Sequence, residues 1–103
     1  MTEADLQKAV IDLAHTLGYR VHHTPRATVR GKWITPTAAD AKGWPDLVIV
    51  GYGRLLFVEL KSDRGFLRPE QAEWRRALLD AGARHCVFRP RDWVSGEIEA
   101  VLQ

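Results

Sequence analysis

Gly43-Trp44-Pro45-Asp46-Leu47-Val48-Ile49-Val50 runs into Gly51-Tyr52-Gly53-Arg54 and on through Leu55-Leu56-Phe57-Val58-Glu59-Leu60-Lys61. Two apolar runs flank a glycine-bearing turn, the pattern of a β-hairpin. With the loop symmetric about Tyr52 and Gly53, Gly51 faces Arg54, Val50 faces Leu55, and counting outward sets Asp46 opposite Glu59. Directly opposed antiparallel residues hold their Cβ atoms roughly 4.5–5.5 Å apart, a distance at which like charges destabilise the pair. Lys61 follows Glu59 by two and projects from the same face. A loop of odd length pairs Asp46 with Val58 or Leu60 instead. Tyr52 is also a poor residue for the positive φ of a type I′ turn, although a four-residue loop from Gly51 to Arg54 keeps the first pairing.

Taken singly, these residues have ordinary explanations. Pro45-Asp46 reads as a turn entering a strand, and Glu59 and Lys61 read as the exposed residues of a half-solvated strand. Together they do not, because the rest of that face is Leu55 and Phe57 with Val48 and Val50 across the hairpin. Charge confined to one end of an apolar face is the arrangement of a functional site. A divalent cation relieves the repulsion between paired carboxylates.

Pro45-Asp46 followed by Glu59-Leu60-Lys61 resembles the PD-(D/E)xK nuclease signature. The longer pattern Gly43-Trp44-Pro45-Asp46-Leu47, then Glu59-Leu60-Lys61, Leu67-Arg68-Pro69-Glu70-Gln71, Trp74 and Ala81-Gly82-Ala83 resembles the VRR-NUC family, the virus-type replication-repair nucleases. The similarity runs from Glu3 to the strand around Val87, with Arg68 standing where the family often has a small helix-capping residue. The resemblance implies an α/β, restriction-endonuclease-like α-β-β-β-α-β core, with a mixed central sheet flanked by helices and a short C-terminal helix.

Composition agrees with one small domain over residues 1–103. The chain is 46% hydrophobic, carries a formal charge of +2 and has one cysteine. No apolar stretch reaches the ~18 residues of a membrane span, and no signal peptide opens the chain. Cys86 has no partner for an internal disulfide and reads as a buried structural thiol in an apolar strand. These features point to an intracellular protein, in the cytoplasm of a bacterium or a phage-infected host. Eleven of the fifteen basic residues are arginine, the side chain suited to forked phosphate contacts.

Along the chain, Thr2 caps a helix whose apolar stripe is Leu6, Ala9, Val10, Leu13, Ala14 and Leu17, ended by Gly18. Tyr19–His23 is a short strand, and Thr24–Lys42 carries prolines, glycine and four basic residues without a regular pattern. Pro69 opens a second helix along Trp74, Ala77, Leu78 and Ala81, and His85–Phe88 is a further strand. Asp92 caps a last helix through Leu102, weakened at Gly96 by up to ~1 kcal/mol. Trp74 reads as core from its stripe. His22 and His23 are adjacent on a strand, point to opposite faces and cannot chelate one ion. No zinc spacing, phosphate-cradling glycine loop or nucleophilic triad is present in the sequence.

Carboxylate and carbonyl oxygens without sulfur or paired histidines suit Mg²⁺, with Mn²⁺ as substitute. The resemblance implies a Mg²⁺-dependent endodeoxyribonuclease in which Asp46 and Glu59 hold the ion with the Leu60 carbonyl, and Lys61 positions water or stabilises the transition state. It further assigns Glu3 and Gln71 to the site. Glu3 lies on the stripe of Leu6 and Val10 but equally complements its helix dipole at the surface. Gln71 lies where an apolar residue is expected and either bonds a phosphate or Lys61 or caps its own helix. DNA contacts are expected from Arg26, Arg30, Lys32, Lys42, Arg64 and Arg68, with Trp44 and Trp33 as stacking candidates. Small members of the family resemble homodimeric nucleases of four-way (Holliday) junctions. The expected substrate is therefore branched DNA cut by a two-fold dimer. The alternatives are a nicking or flap-directed nuclease and a non-catalytic DNA-binding module of a repair complex.

Overall fold

A computed structural model describes residues 1–24 and 39–103, together with the backbone of 27–29 and 32–34. Helix α1 (Glu3–Thr16) begins with a reciprocal cap. The Asp5 N–H donates to Thr2 Oγ1 at 3.1 Å, and the Thr2 N–H donates to Asp5 Oδ2 at 2.9 Å. Two of the first turn's otherwise unpaired donors are thereby satisfied. Strands β1 (Arg20–His23), β4 (Leu47–Gly51), β5 (Arg54–Leu60) and β6 (Arg84–Phe88) form one sheet in the order β1-β4-β5-β6. β4 runs antiparallel to both of its neighbours, β1 and β5, and β6 runs parallel to β5. A parallel neighbour needs a long crossover, which helix α2 (Pro69–Asp80) supplies.

The stretch Thr24–Lys42 is not wholly irregular. Strands β2 (Ala27–Val29) and β3 (Lys32–Ile34) pair antiparallel, with Thr28 opposite Trp33. The helix expected from Asp92 onward is two short ones, α3 (Pro90–Val94) and α4 (Glu97–Leu102), separated at Gly96 with φ of +83°. Asp92 does not stand at the cap position. It sits in the first turn, and its Oδ2 accepts the Arg89 N–H at 2.8 Å.

The hairpin register is the one that the symmetric turn predicts. Gly51 pairs with Arg54, Val50 with Leu55 and Leu47 with Val58, so Asp46 stands one step beyond, facing Glu59. Tyr52 (φ +52°) and Gly53 (φ +72°) are both left-handed, as a two-residue type I′ turn requires. Tyr52 is held there from outside the turn. Its hydroxyl donates to Leu17 O at 2.5 Å, and its ring meets Tyr19 edge-on at 5.2 Å.

The pleat sorts side chains onto two faces. Leu47, Ile49, Leu56, Val58 and Leu60 point toward α1 and α4, where they bury Leu6, Val10, Ala14, Ile98 and Leu102. Each such aliphatic side chain contributes roughly 1.5–3 kcal/mol when fully buried. Arg54 ties this layer together, donating to Tyr19 Oη and Val101 O, while Tyr19 donates to Leu102 O. The other face carries Phe57, Glu59 and His85 beneath α2. No helix of the described residues is long and apolar enough to cross a membrane.

Candidate active site

The hairpin register and the pleat place Asp46, Glu59 and Lys61 on one face at the end of β5. Asp46 precedes β4, and its backbone carbonyl accepts the Thr24 N–H at 3.3 Å, which extends the β1–β4 pairing by one rung. Its carboxylate reaches across to β5, where Oδ2 accepts the Leu60 N–H at 2.8 Å. The Asp46 carboxylate therefore lies against the peptide that joins Glu59 to Leu60. Glu59 is 1% exposed, a burial unusual for a carboxylate. Lys61 is half-buried, and its N–H continues the β5–β6 ladder by donating to Phe88 O at 3.0 Å.

Gln71 caps its own helix, and the other end of its amide goes to Glu59, a partner not weighed from the sequence. Its Oε1 accepts the Arg68 N–H at 2.8 Å, and its Nε2 donates to Glu59 Oε1 at 3.2 Å. Arginine has no acceptor with which to cap a helix, so the third residue of α2 supplies the bond from inside the helix. Arg89-Pro90-Arg91-Asp92 repeats the device at α3. Because Gln71 is 3% exposed, both ends of its amide are used within the protein. Its donor end fixes the orientation of Glu59.

The loop before Asp46 is pressed against the start of α2. Gly43 has φ of +87°, and a Cβ there would lie 2.5 Å from the carbonyl carbon and oxygen of Glu70 and 2.8 Å from Gln71 N. Only glycine meets both the left-handed backbone and this close approach. Trp44 follows, meeting Phe57 edge-on at 5.5 Å and Trp74 at 4.9 Å. Trp74 Nε1 donates to Asp40 O at 2.8 Å. Edge-to-face pairs contribute about 0.5–1.5 kcal/mol each beyond their burial. The half-buried Trp44 thus forms a wall between loop, sheet and α2.

Other expected residues divide. Arg64 and Arg68 are exposed in the connector after Lys61. Arg26 and Arg30 lie outside the described residues, and of Lys32 only the backbone is described. Lys42 is exposed but sits 3.8 Å from Glu70, in a hollow also lined by Asp40 and Glu73, acidic surroundings that work against a phosphate. Glu3 is exposed on α1, whose buried residues face the opposite side of the sheet from Glu59. Among the described residues, no group of three or more His, Cys, Asp or Glu side chains is placed to hold a metal, so Glu3 is not brought to Asp46 and Glu59. Several arginines are structural: Arg54 as above, Arg75 on His85, and Arg89 on Ser62 O and Gly65 O at 2.6 and 2.7 Å.

Sequence reasoning passed over His85. It is 7% exposed under α2, with Arg75 donating to Nδ1 at 2.8 Å and to its own carbonyl at 3.0 Å. Burial, aided by the Arg75 charge, lowers its pKa to about 4. Cys86 is half-buried against the core, and burial raises its thiol above the usual range. It is an inert packing residue by that chemistry.

No protein-family profile and no curated protein matches the chain. A solved structure titled "VRR_NUC domain" is similar to it with a TM-score of 0.68 and 24% sequence identity, covering 94% of both chains. The correspondence includes the mixed four-stranded sheet with its flanking helices, the restriction-endonuclease-like arrangement expected from the Asp46 and Glu59-Leu60-Lys61 pattern. Over nearly its whole length, the chain has the fold of that VRR_NUC domain.

Proposed function

We propose that this chain is a metal-dependent endodeoxyribonuclease of the VRR-NUC family that acts on branched DNA, with a four-way junction as its substrate. The observation that carries the reading is the placement of the Asp46 carboxylate on the Leu60 N–H, facing Glu59, with Lys61 next in the chain. The donor set fits Mg²⁺. Asp46 and Glu59 offer carboxylate oxygens from facing positions of the hairpin, and Mg²⁺ is ordinarily held by one or two carboxylates, with waters and substrate phosphate completing its shell. The Leu60 carbonyl is the further protein oxygen in this proposal. Histidine and thiol ligands of the kind zinc prefers are absent from the described site.

A bound divalent ion supplies Lewis-acid polarisation of the scissile phosphate and a bound water acidic enough to ionise near neutral pH. The residues do the rest. Gln71 Nε2 holds Glu59 in one orientation, and the Leu60 N–H holds Asp46, so the two carboxylates are positioned before DNA arrives. Preorganisation of this kind carries much of an enzyme's electrostatic stabilisation. Lys61 Nζ, on the same side of β5 as Glu59, places a positive charge where the phosphorane-like transition state gains negative charge. Arg64 and Arg68 grip flanking phosphates.

One chain has one such site, and paired cuts on a symmetric junction need two, which a two-fold dimer supplies. Val50 and Leu55, 43% and 48% exposed and paired across the hairpin, offer apolar surface for it. The test is incubation with a labelled four-way junction, a matched duplex and a single strand in Mg²⁺, Mn²⁺ or EDTA. Metal-dependent symmetric cleavage of the junction supports the whole reading. Cleavage of every substrate removes the junction selectivity, and binding without cleavage in any metal removes the enzyme.

A further inference from the structure

The connector between β5 and α2 contains the most exposed large apolar side chain among the described residues, Phe66, at 86% exposure. Single exposed apolar residues are common on protein surfaces, so the setting decides what this one means. The loop that presents it is tightly held. Arg89 Nη1 donates to Ser62 O at 2.6 Å and to Gly65 O at 2.7 Å, the Gly65 N–H donates to Ser62 O at 3.2 Å, and Asp63 Oδ1 accepts the Arg91 N–H at 2.9 Å. Beyond Phe66, the Arg68 N–H is fixed on Gln71 Oε1 at 2.8 Å. Anchors on both sides hold the backbone that presents the ring to solvent.

That place adjoins the site. A Cβ built on Gly65 would lie 3.7 Å from Lys61 Cδ, so the residue just before Phe66 lies along the stem of the lysine. Arg64 and Arg68 flank Phe66 at two residues on either side, and both are exposed. An aromatic ring between two arginines, in a loop that lies along the lysine of the site, matches the chemistry of a strand whose phosphates are gripped while one base stacks on protein. A base within an intact duplex is already stacked on its neighbours. A base at a break, branch point or unpaired step has a face to offer, and apolar wedges exploit such steps.

We infer that Phe66 stacks on an unstacked nucleobase next to the scissile phosphate and so selects interrupted over continuous duplex DNA, an inference that rests on the nuclease reading above. The test measures DNA binding by fluorescence anisotropy in Ca²⁺ for the wild type, Phe66→Ala and Phe66→Trp, with a continuous duplex and the same duplex interrupted by unpaired bases. An interrupted probe carrying 2-aminopurine at the break reports stacking directly. Loss of one base–aromatic stack predicts about 5- to 100-fold weaker binding of Phe66→Ala to interrupted DNA. Binding to the continuous duplex should be nearly unchanged, and Phe66→Trp should restore both affinity and 2-aminopurine quenching. Circular dichroism checks that both variants fold.

Equal affinities of Phe66→Ala and wild type for interrupted DNA, or equal losses on both probes, overturn the inference while leaving a cleaving wild type intact. Conversion of a dimer to a monomer by Phe66→Ala, with DNA affinity per protomer retained, also overturns it and assigns the ring to a second copy. A wild type that neither binds nor cuts any DNA refutes the nuclease reading, and this inference with it.

Discussion

Replacing Gly43 by alanine should destabilise the protein through a clash that no side-chain movement can relieve. The left-handed backbone at φ +87° costs a residue with a Cβ about 1–2 kcal/mol. The new methyl would also stand 2.5 Å from the Glu70 carbonyl and 2.8 Å from Gln71 N, backbone atoms of the first turn of α2. Overpacking of that kind costs about 1–3 kcal/mol more. The sum, ~2–5 kcal/mol, is a large part of the ~5–15 kcal/mol that stabilises an ordinary domain. Gly82→Ala is the matched control, since Gly82 has φ of +85° but nothing within 4 Å of a Cβ, leaving only the backbone cost. Urea unfolding monitored by tryptophan fluorescence should show a lower midpoint for Gly43→Ala than for Gly82→Ala at unchanged m. Because relief of the clash pushes the 41–46 loop away from α2, Mn²⁺ affinity should fall in Gly43→Ala and hold in Gly82→Ala. Equal stability of the two variants would refute the close approach as a determinant of the site.

Asp46→Asn and Lys61→Ala should each abolish cleavage while junction binding in Ca²⁺ stays within a few-fold of wild type, and full activity in either removes the proposed mechanism. Gln71→Glu keeps an acceptor for the Arg68 N–H but sets a second carboxylate against buried Glu59. The repulsion raises a carboxyl pKa in the folded state, so the variant should be less stable than wild type at pH 7, with the deficit closing toward pH 4 as the pair binds a proton. A pH-independent deficit would show that the two groups are not in contact. His85, held to a pKa of about 4, stays neutral in the folded chain while the unfolded chain binds a proton below about pH 6.5. Its contribution is therefore full above pH 6.5 and is lost as pH falls toward 4, a change of about 3 kcal/mol. His85→Gln should lack that part of the pH slope in otherwise identical urea titrations, and an unchanged slope would mean that His85 titrates normally. Raising salt should weaken binding to all DNA, and Arg64→Ala or Arg68→Ala should reduce the slope by about one phosphate each.

The hairpin register was legible because the physics is local: a two-residue turn and strict alternation fix which side chains oppose. The turn itself was harder to read. Tyr52 adopts a conformation that its own preferences disfavour, supported by Leu17 O and the Tyr19 ring, partners that lie far away in sequence. The same limit explains Trp44, whose surroundings come from β5 and α2 together, and Lys42, whose acidic neighbours belong to another element. Arginine content suggested phosphate contacts. Folding, however, assigns Arg54, Arg75 and Arg89 to carbonyls, a hydroxyl and a ring nitrogen that no pattern in the sequence marks. The β2–β3 pair was missed because three-residue strands carry too little alternation to register. The broken C-terminal helix had its signal in Gly96, read as a weak point and found to be a boundary.

The bond from the Lys61 N–H to Phe88 O has a consequence for when the protein becomes competent during its synthesis. The β4–β5 hairpin joins sequence neighbours, and hairpins form within about 1–10 μs, so Asp46 and Glu59 can meet as soon as both strands have emerged. Lys61 has no ladder partner until β6, on the far side of the α2 crossover, docks in parallel beside β5. Long-range parallel pairing of that kind is a slow event. The carboxylates are thus an early product of the chain and the lysine a late one. A nascent chain that has made only the hairpin has the pair of acids, but Lys61 is not yet held by its bond to Phe88 O, nor Glu59 by Gln71. Protection of the Lys61 amide from hydrogen exchange during refolding would mark the moment at which the site becomes whole.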